Sequence, residues 1–147
     1  MTNQAISLSI QDNVNKKNYL KKKDVLRWLN YFIKTDSTIT IRIAQLNEAK
    51  QLNFTYRKIN KATNVLSFLI ASKPLVGDII LCHDIIKIEA QEQKKKLRDH
   101  YAHLIIHGCL HLLGYDHELD ADANKMEKKE INILKAIGIT NPYLVKN

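Results

Sequence analysis

Residues 107 to 117 read His107-Gly108-Cys109-Leu110-His111-Leu112-Leu113-Gly114-Tyr115-Asp116-His117. Placed on a helix, His107 and His111 are four residues apart, which turns their side chains only about 40° from one another and separates them by about 6 Å along the axis. Both rings can then reach one ion. A third ring cannot come from the same turn, so the chain must leave the helix and double back, and Gly114 stands where a left-handed backbone permits that. His117 follows three residues later. Zinc takes neutral imidazole nitrogens at roughly 2.0–2.1 Å, and three protein ligands leave a fourth position for solvent, the arrangement of a catalytic ion.

The residues upstream extend the pattern. With His103 at 0° and a turn of about 100° per residue, His100, His103, His107 and His111 share an arc of ~80°, while Tyr101, Ile105, Ile106, Cys109, Leu112 and Leu113 fill the far side. A polar stripe on an otherwise apolar helix must be satisfied, and either a metal or ordinary hydrogen bonds would do it. Spacing alone also leaves the register open, because His103 and His107 form a pair of the same kind. The turn at Gly114 favours the later pair, since it returns His117 beside His111. His103 then either supports a ligand or faces the substrate. Cys109 points roughly 200° away from His107 and belongs to the core.

At 147 residues the chain is expected to form a single domain, residues 1–147, with one core. It has no long apolar run and no leader pattern, so the expectation is a cytoplasmic protein without membrane contact. Its two cysteines, Cys82 and Cys109, lie in apolar stretches. Lysine and arginine number 23 against 15 acidic residues, a formal charge of +8. That excess favours an anionic partner, nucleic acid first, against the plainer role of keeping the surface soluble.

Ala5 to Ile10 alternates as a half-buried strand, and Ile39, Ile41 and Ile43 form a second with β-branched residues. Between them Val25, Leu26, Leu29, Phe32 and Ile33 recur at helical spacing; the adjoining Lys21-Lys22-Lys23 run could track a phosphate backbone, but reads more readily as a solvated face. A short helix is expected from an Asn47 cap to about Asn53, followed by a basic loop over Phe54 to Asn64. Val65 to Ile70 and Ile79 to Cys82 read as strands, the latter buried on both faces and opened by Gly77-Asp78. Asp84 is a candidate cap for a helix through Ala90, and Gln91 to Lys96 is a loop or a solvated helical turn. The histidine helix spans Leu97 to Leu113. Asp120 caps a last helix that carries Met126, Ile133, Leu134 and Ile137 and stops at Gly138 and Pro142. The fold class is therefore α+β, a small mixed β-sheet of about four strands packed with about five helices.

The stretch His107 to His117 resembles the H-G-x-L-H-L-x-G-Y-D-H signature of the YbeY family, bacterial metal-dependent endoribonucleases tied to ribosomal RNA maturation and ribosome quality control. Every fixed position is met. His100, Ala102 and His103 fit the His-x-Ala-His that precedes it, Gly77-Asp78-Ile79 fits a strand opening, and Tyr56-Arg57 with Thr63-Asn64-Val65-Leu66-Ser67-Phe68 fits a second block. Leu69 stands where that block has proline, which should alter the local loop path. The resemblance is strongest over residues 46 to 138. It implies His107, His111 and His117 as metal ligands, Arg57 as a functional arginine facing them, and a fold similar to that of zinc metalloproteases, with a similar site helix.

The same spacing fits the H-E-x-x-H-x-x-G-x-x-H of metzincin proteases except at Gly108, where those enzymes carry the glutamate that activates water. Phosphodiester cleavage asks instead for a cation near the phosphoryl oxygens and an arginine for the growing charge, which Arg57 would supply bidentately. The reading is a metal-dependent, single-strand-specific endoribonuclease using one zinc ion, or nickel or another divalent metal, with ribosomal RNA and ribosome-associated proteins as partners. The nucleophile is either water or an internal 2′-hydroxyl. Asp116 either orients a ligand or acts as a base, unless it only caps the turn. Met126 either packs beneath the site or fills core. Two rivals stand beside this reading: a metzincin-like metalloprotease, and a non-catalytic ribosome-binding factor with a structural zinc.

Overall fold

The computed structural model describes residues 5–12, 14, 20–116 and 119–143. The elements run β1 (Ile6–Asp12), α1 (Lys22–Asn30), β2 (Ser37–Ala44), α2 (Leu46–Arg57), β3 (Val65–Ser72), β4 (Leu75–Cys82), α3 (His83–Glu92), α4 (Leu97–Leu112) and α5 (Asp120–Ala136). The four-stranded sheet has the order β1-β2-β4-β3. Strands β1, β2 and β4 are parallel and β3 is antiparallel to β4, so the hairpin partner of β4 forms one edge. The α+β class with a small mixed sheet is what periodicity leads one to expect.

Alternation in β2 sends Ile39, Ile41 and Ile43 to one face, where each is at most 1% exposed. They meet Ile79 and Leu81 of β4, Val25, Trp28 and Leu29 of α1, and Ile105, Ile106 and Cys109 of α4 in the main core. Arg98 of α4 lays its guanidinium 5.3 Å from the Trp28 ring and pairs with Asp24 at 3.3 Å, tying α1 to α4. The opposite face is covered by α2, through Ala44, Ala49, Leu66, Ile80 and Cys82. Strand β4 is thus apolar on both faces, as its unbroken run implies.

Several boundaries differ from the sequence reading. Helix α2 continues past Asn53 to Arg57, and only Lys58, at φ 60°, turns out of it, so Arg57 is a helical residue and not part of a loop. Asn53 reads locally as a stop, but it is 4% exposed and donates to the Lys61 carbonyl at 2.7 Å, holding the following loop against the helix. The helix-start position is Gln45 and not Asn47; its Leu46 N–H is met by the Asp84 carboxylate at 3.2 Å. Asp84 therefore serves α2 instead of capping its own helix, in whose first turn it lies. Asp120 likewise lies inside the first turn of α5, behind Leu119, where its charge still suits the helix dipole. Leu69 does not divert a loop: it stays in β3 opposite Gly77, and the register shift comes after it, at Ile70.

Helix α4 sits against β3 and β4 at unusually close range. A Cβ at position 108 would lie 2.9 Å from Ser67 Oγ and 3.0 Å from Ile79 Cδ1, and the Ser67 hydroxyl donates to the Gly108 carbonyl at 3.1 Å. A side chain here would point into the sheet. Gly108→Glu is expected to destabilise the fold by about 3 kcal/mol or more, through overpacking and burial of a charge. Urea unfolding measures this; a variant as stable as the parent would contradict the packing described.

Candidate metal centre

The last turn of α4 closes with paired reversed bonds, Gly114 N–H to the His111 carbonyl and Tyr115 N–H to the Leu110 carbonyl, both at 3.0 Å. This is the Schellman arrangement, and it requires the positive φ of 101° that Gly114 adopts. Tyr115 packs against the core, and the chain returns so that Asp116 lines the same cleft as His107 and His111. His117 lies outside the described residues.

His107 and His111 bring their Nε2 atoms to 3.2 Å of one another. Two nitrogens bound at about 2.0–2.1 Å to one tetrahedral ion stand roughly 3.3–3.4 Å apart, so the pair already has the span of two ligands. Among the described residues no three histidine, cysteine or acidic side chains gather to hold a metal; the structure brings His107 and His111 together, and His117, the third residue of the expected set, is not among those described. Cys109 takes no part: it is fully buried, and burial pushes its thiol up to about 12.

The cleft has a volume of about 690 Å³, and Arg57, Asn64, Ser67 and Asp116 line it together with the two histidines. Arg57 is held by a 2.7 Å bond from Nη2 to the Ser67 carbonyl, with its guanidinium 5.3 Å from the Phe68 ring. Strand β3 thus positions the arginine that α2 carries, and Ser67 braces both Arg57 and Gly108.

His103 does not line this cleft. It faces a separate cavity bordered by Lys94 to Lys96, and its Nε2 lies 3.1 Å from Glu130 Oε2. Glu130, from α5, also meets His107 Nδ1 through Oε1 and accepts from the Tyr143 hydroxyl through Oε2. Glu130 is missing from the sequence reading, although a signal exists: it falls in the apolar stripe formed by Met126, Ile133 and Leu134, a register where a carboxylate demands partners. Met126 is 1% exposed in the core and also borders a small cavity with His107 and Glu130.

Burial opposes ionisation of Glu130, but the bonds from His103, His107 and Tyr143 outweigh it and hold the carboxyl at about 2. Burial in turn pushes the His100 imidazole below its ordinary value, against its bond to Glu89.

The profile of the Endoribonuclease YbeY family matches residues 6–138. The chain belongs to the YbeY family. The Endoribonuclease YbeY of Verminephrobacter eiseniae is 47% identical over 120 residues, covering 81% of this chain and 78% of that one. That of Nitrosococcus oceani is 41% identical over 149 residues, covering 95% and 97%. The solution structure of TM1509 from Thermotoga maritima shares the fold, with a TM-score of 0.61 at 24% identity over 88% of this chain and 90% of that one. The α4 signature and the Arg57 block both fall inside the span that the YbeY profile matches.

Acid should destabilise the fold in two stages. His100, with its folded pKa below 6.5, contributes stability that is full above that value and is lost as pH falls through the lower one. Glu130 contributes stability present above 4.5 and lost as pH falls toward about 2. Urea midpoints of the metal-free protein should therefore drop first below about 6.5 and again below about 4.5. Glu130→Gln should flatten the second stage, and an unaltered acid limb in that variant would contradict the assignment.

Proposed function

We propose that this chain is a metal-dependent endoribonuclease that cuts single-stranded RNA. The observation that supports it best is the convergence of the His107 and His111 Nε2 atoms, 3.2 Å apart, in a cleft that also carries Arg57. His107 and His111, with His117 from the signature, would hold the ion, zinc first and nickel or another divalent metal as the alternative. Bound there, the cation supplies Lewis acidity and positive charge toward a phosphodiester.

The chain's own groups do the rest. Ser67 fixes one edge of the Arg57 guanidinium, and the remaining N–H fork is directed to a non-bridging phosphoryl oxygen and to charge that grows as the bond to phosphorus changes. Asp116, on the same lining, accepts a proton from the attacking oxygen or orients a ligand ring. Ile59, Val65 and Leu69 add an apolar part of the lining suited to an unstacked base, which favours unpaired RNA over a duplex. The excess of 23 basic over 15 acidic residues draws the polyanion in. Ribosomal RNA and ribosome-associated proteins in the cytosol are the partners that the family resemblance implies. Among the described residues no helix is long and apolar enough to cross a membrane.

The protease reading fares worse, because position 108 is a glycine with no carboxylate to activate water, and it packs so closely on Ser67 and Ile79 that a side chain there would be crowded. A structural zinc alone would leave Arg57 and the open cleft without use.

Labelled single-stranded RNA, incubated with the zinc-loaded protein, should be cut internally. His107→Ala, His111→Ala and a chelator should each reduce cleavage on the order of 100-fold or more, and Arg57→Ala should lower kcat by roughly 10²–10³ with little effect on folding. Undiminished cleavage in these variants, or a chelator that unfolds the whole domain, would overturn the proposal.

A further inference from the structure

We infer that Glu130 is the positioning carboxylate of this centre: it fixes the His107 ring in the Nδ1–H tautomer, so that Nε2 presents a lone pair to the cleft. The inference rests on the reading of His107 as a metal ligand and adds a residue that the YbeY signature does not contain. The Glu130 side chain is fully buried. Its two oxygens meet three donors from two other parts of the chain: His107 Nδ1 at Oε1, and His103 Nε2 and the Tyr143 hydroxyl at Oε2.

An ionised carboxylate accepts only, so each of the three groups must donate to it. For His107 this places the proton on Nδ1, the ring atom turned away from His111, and leaves Nε2 as the atom 3.2 Å from His111 Nε2. For His103 it places the proton on Nε2 and leaves Nδ1 bare. Among the described residues His103 Nδ1 is buried with no hydrogen-bond partner, and an unmet lone pair there is less costly than an unmet N–H would be. The same assignment therefore accounts for both rings. His103 and Tyr143 hydrogen-bond to Glu130 and not to His107: they hold the carboxylate, and the carboxylate holds the ring. A carboxylate behind a ligating histidine also raises the basicity of the nitrogen facing the ion.

The test uses full-length, metal-free protein labelled with ¹⁵N at histidine, and reads ring tautomers near neutral pH by long-range ¹H–¹⁵N correlation. Wild type should show His107 with its proton on Nδ1, and Glu130→Leu should lose that bias. A wild-type His107 protonated on Nε2 overturns the inference. A second arm measures zinc affinity by competition with a chromophoric chelator. Glu130→Gln should bind roughly 10–100-fold more weakly, since an amide is a poorer acceptor and cannot accept from all three donors. Tyr143→Phe, which leaves the carboxylate in place, should lose less. Unchanged zinc affinity in Glu130→Gln would overturn the inference even if the tautomer held. Wild-type protein that shows the Nδ1–H tautomer but binds no zinc would support the ring assignment and overturn the metal reading, so the two failures are told apart.

Discussion

The close approach of α4 to the sheet is the constraint from which the site follows. Gly108 lets the helix backbone come within reach of Ser67 and Ile79. With that contact fixed, the apolar residues Ile105, Ile106 and Cys109 enter the main core and the imidazoles of His107 and His111 are left on the cleft side. One helix thereby contributes to both the core and the cleft lining. The Ser67 that contacts Gly108 also offers its carbonyl to Arg57, so one residue serves both the helix packing and the cleft lining. A small shift of α4 would move the histidines relative to the arginine.

Behind the cleft, α5 contributes a charge in place of an apolar side chain. Burying Glu130 in the α5 stripe is costly, and three donors offset that cost. The result is a layered polar arrangement in which Tyr143 and His103 act on Glu130 and Glu130 acts on His107. A ring held this way loses little freedom when a ligand or substrate arrives, which is the advantage of preorganisation.

The sequence made some of this legible and hid the rest for identifiable reasons. Helix α4, its histidine stripe and the turn at Gly114 were readable, because helical period and a positive-φ glycine are local signals. The β2 and β4 strands were readable for the same reason, through alternation and an unbroken apolar run. The end of α2 was not, because Asn53 looks like a stop until its long-range bond to Lys61 is seen. Asp84 reads locally as the cap of its own helix because its partner, Leu46, lies 38 residues away. Arg57 entered only through family resemblance; no spacing rule connects it to residues 107 and 111. The register of Glu130 is visible in the sequence but its role is not, because its three donors come from α4 and from Tyr143. His117, legible in the signature, lies outside the described residues.

The central claim is that imidazoles from this signature bind one ion and that no thiol does. X-ray absorption at the zinc edge of the loaded protein tests it directly. The expected spectrum has only nitrogen and oxygen neighbours at about 2.0–2.1 Å, with outer-shell scattering from three imidazoles that drops by one ring in His117→Ala. A sulfur neighbour near 2.3 Å, or a spectrum indifferent to the loss of His111, would contradict it.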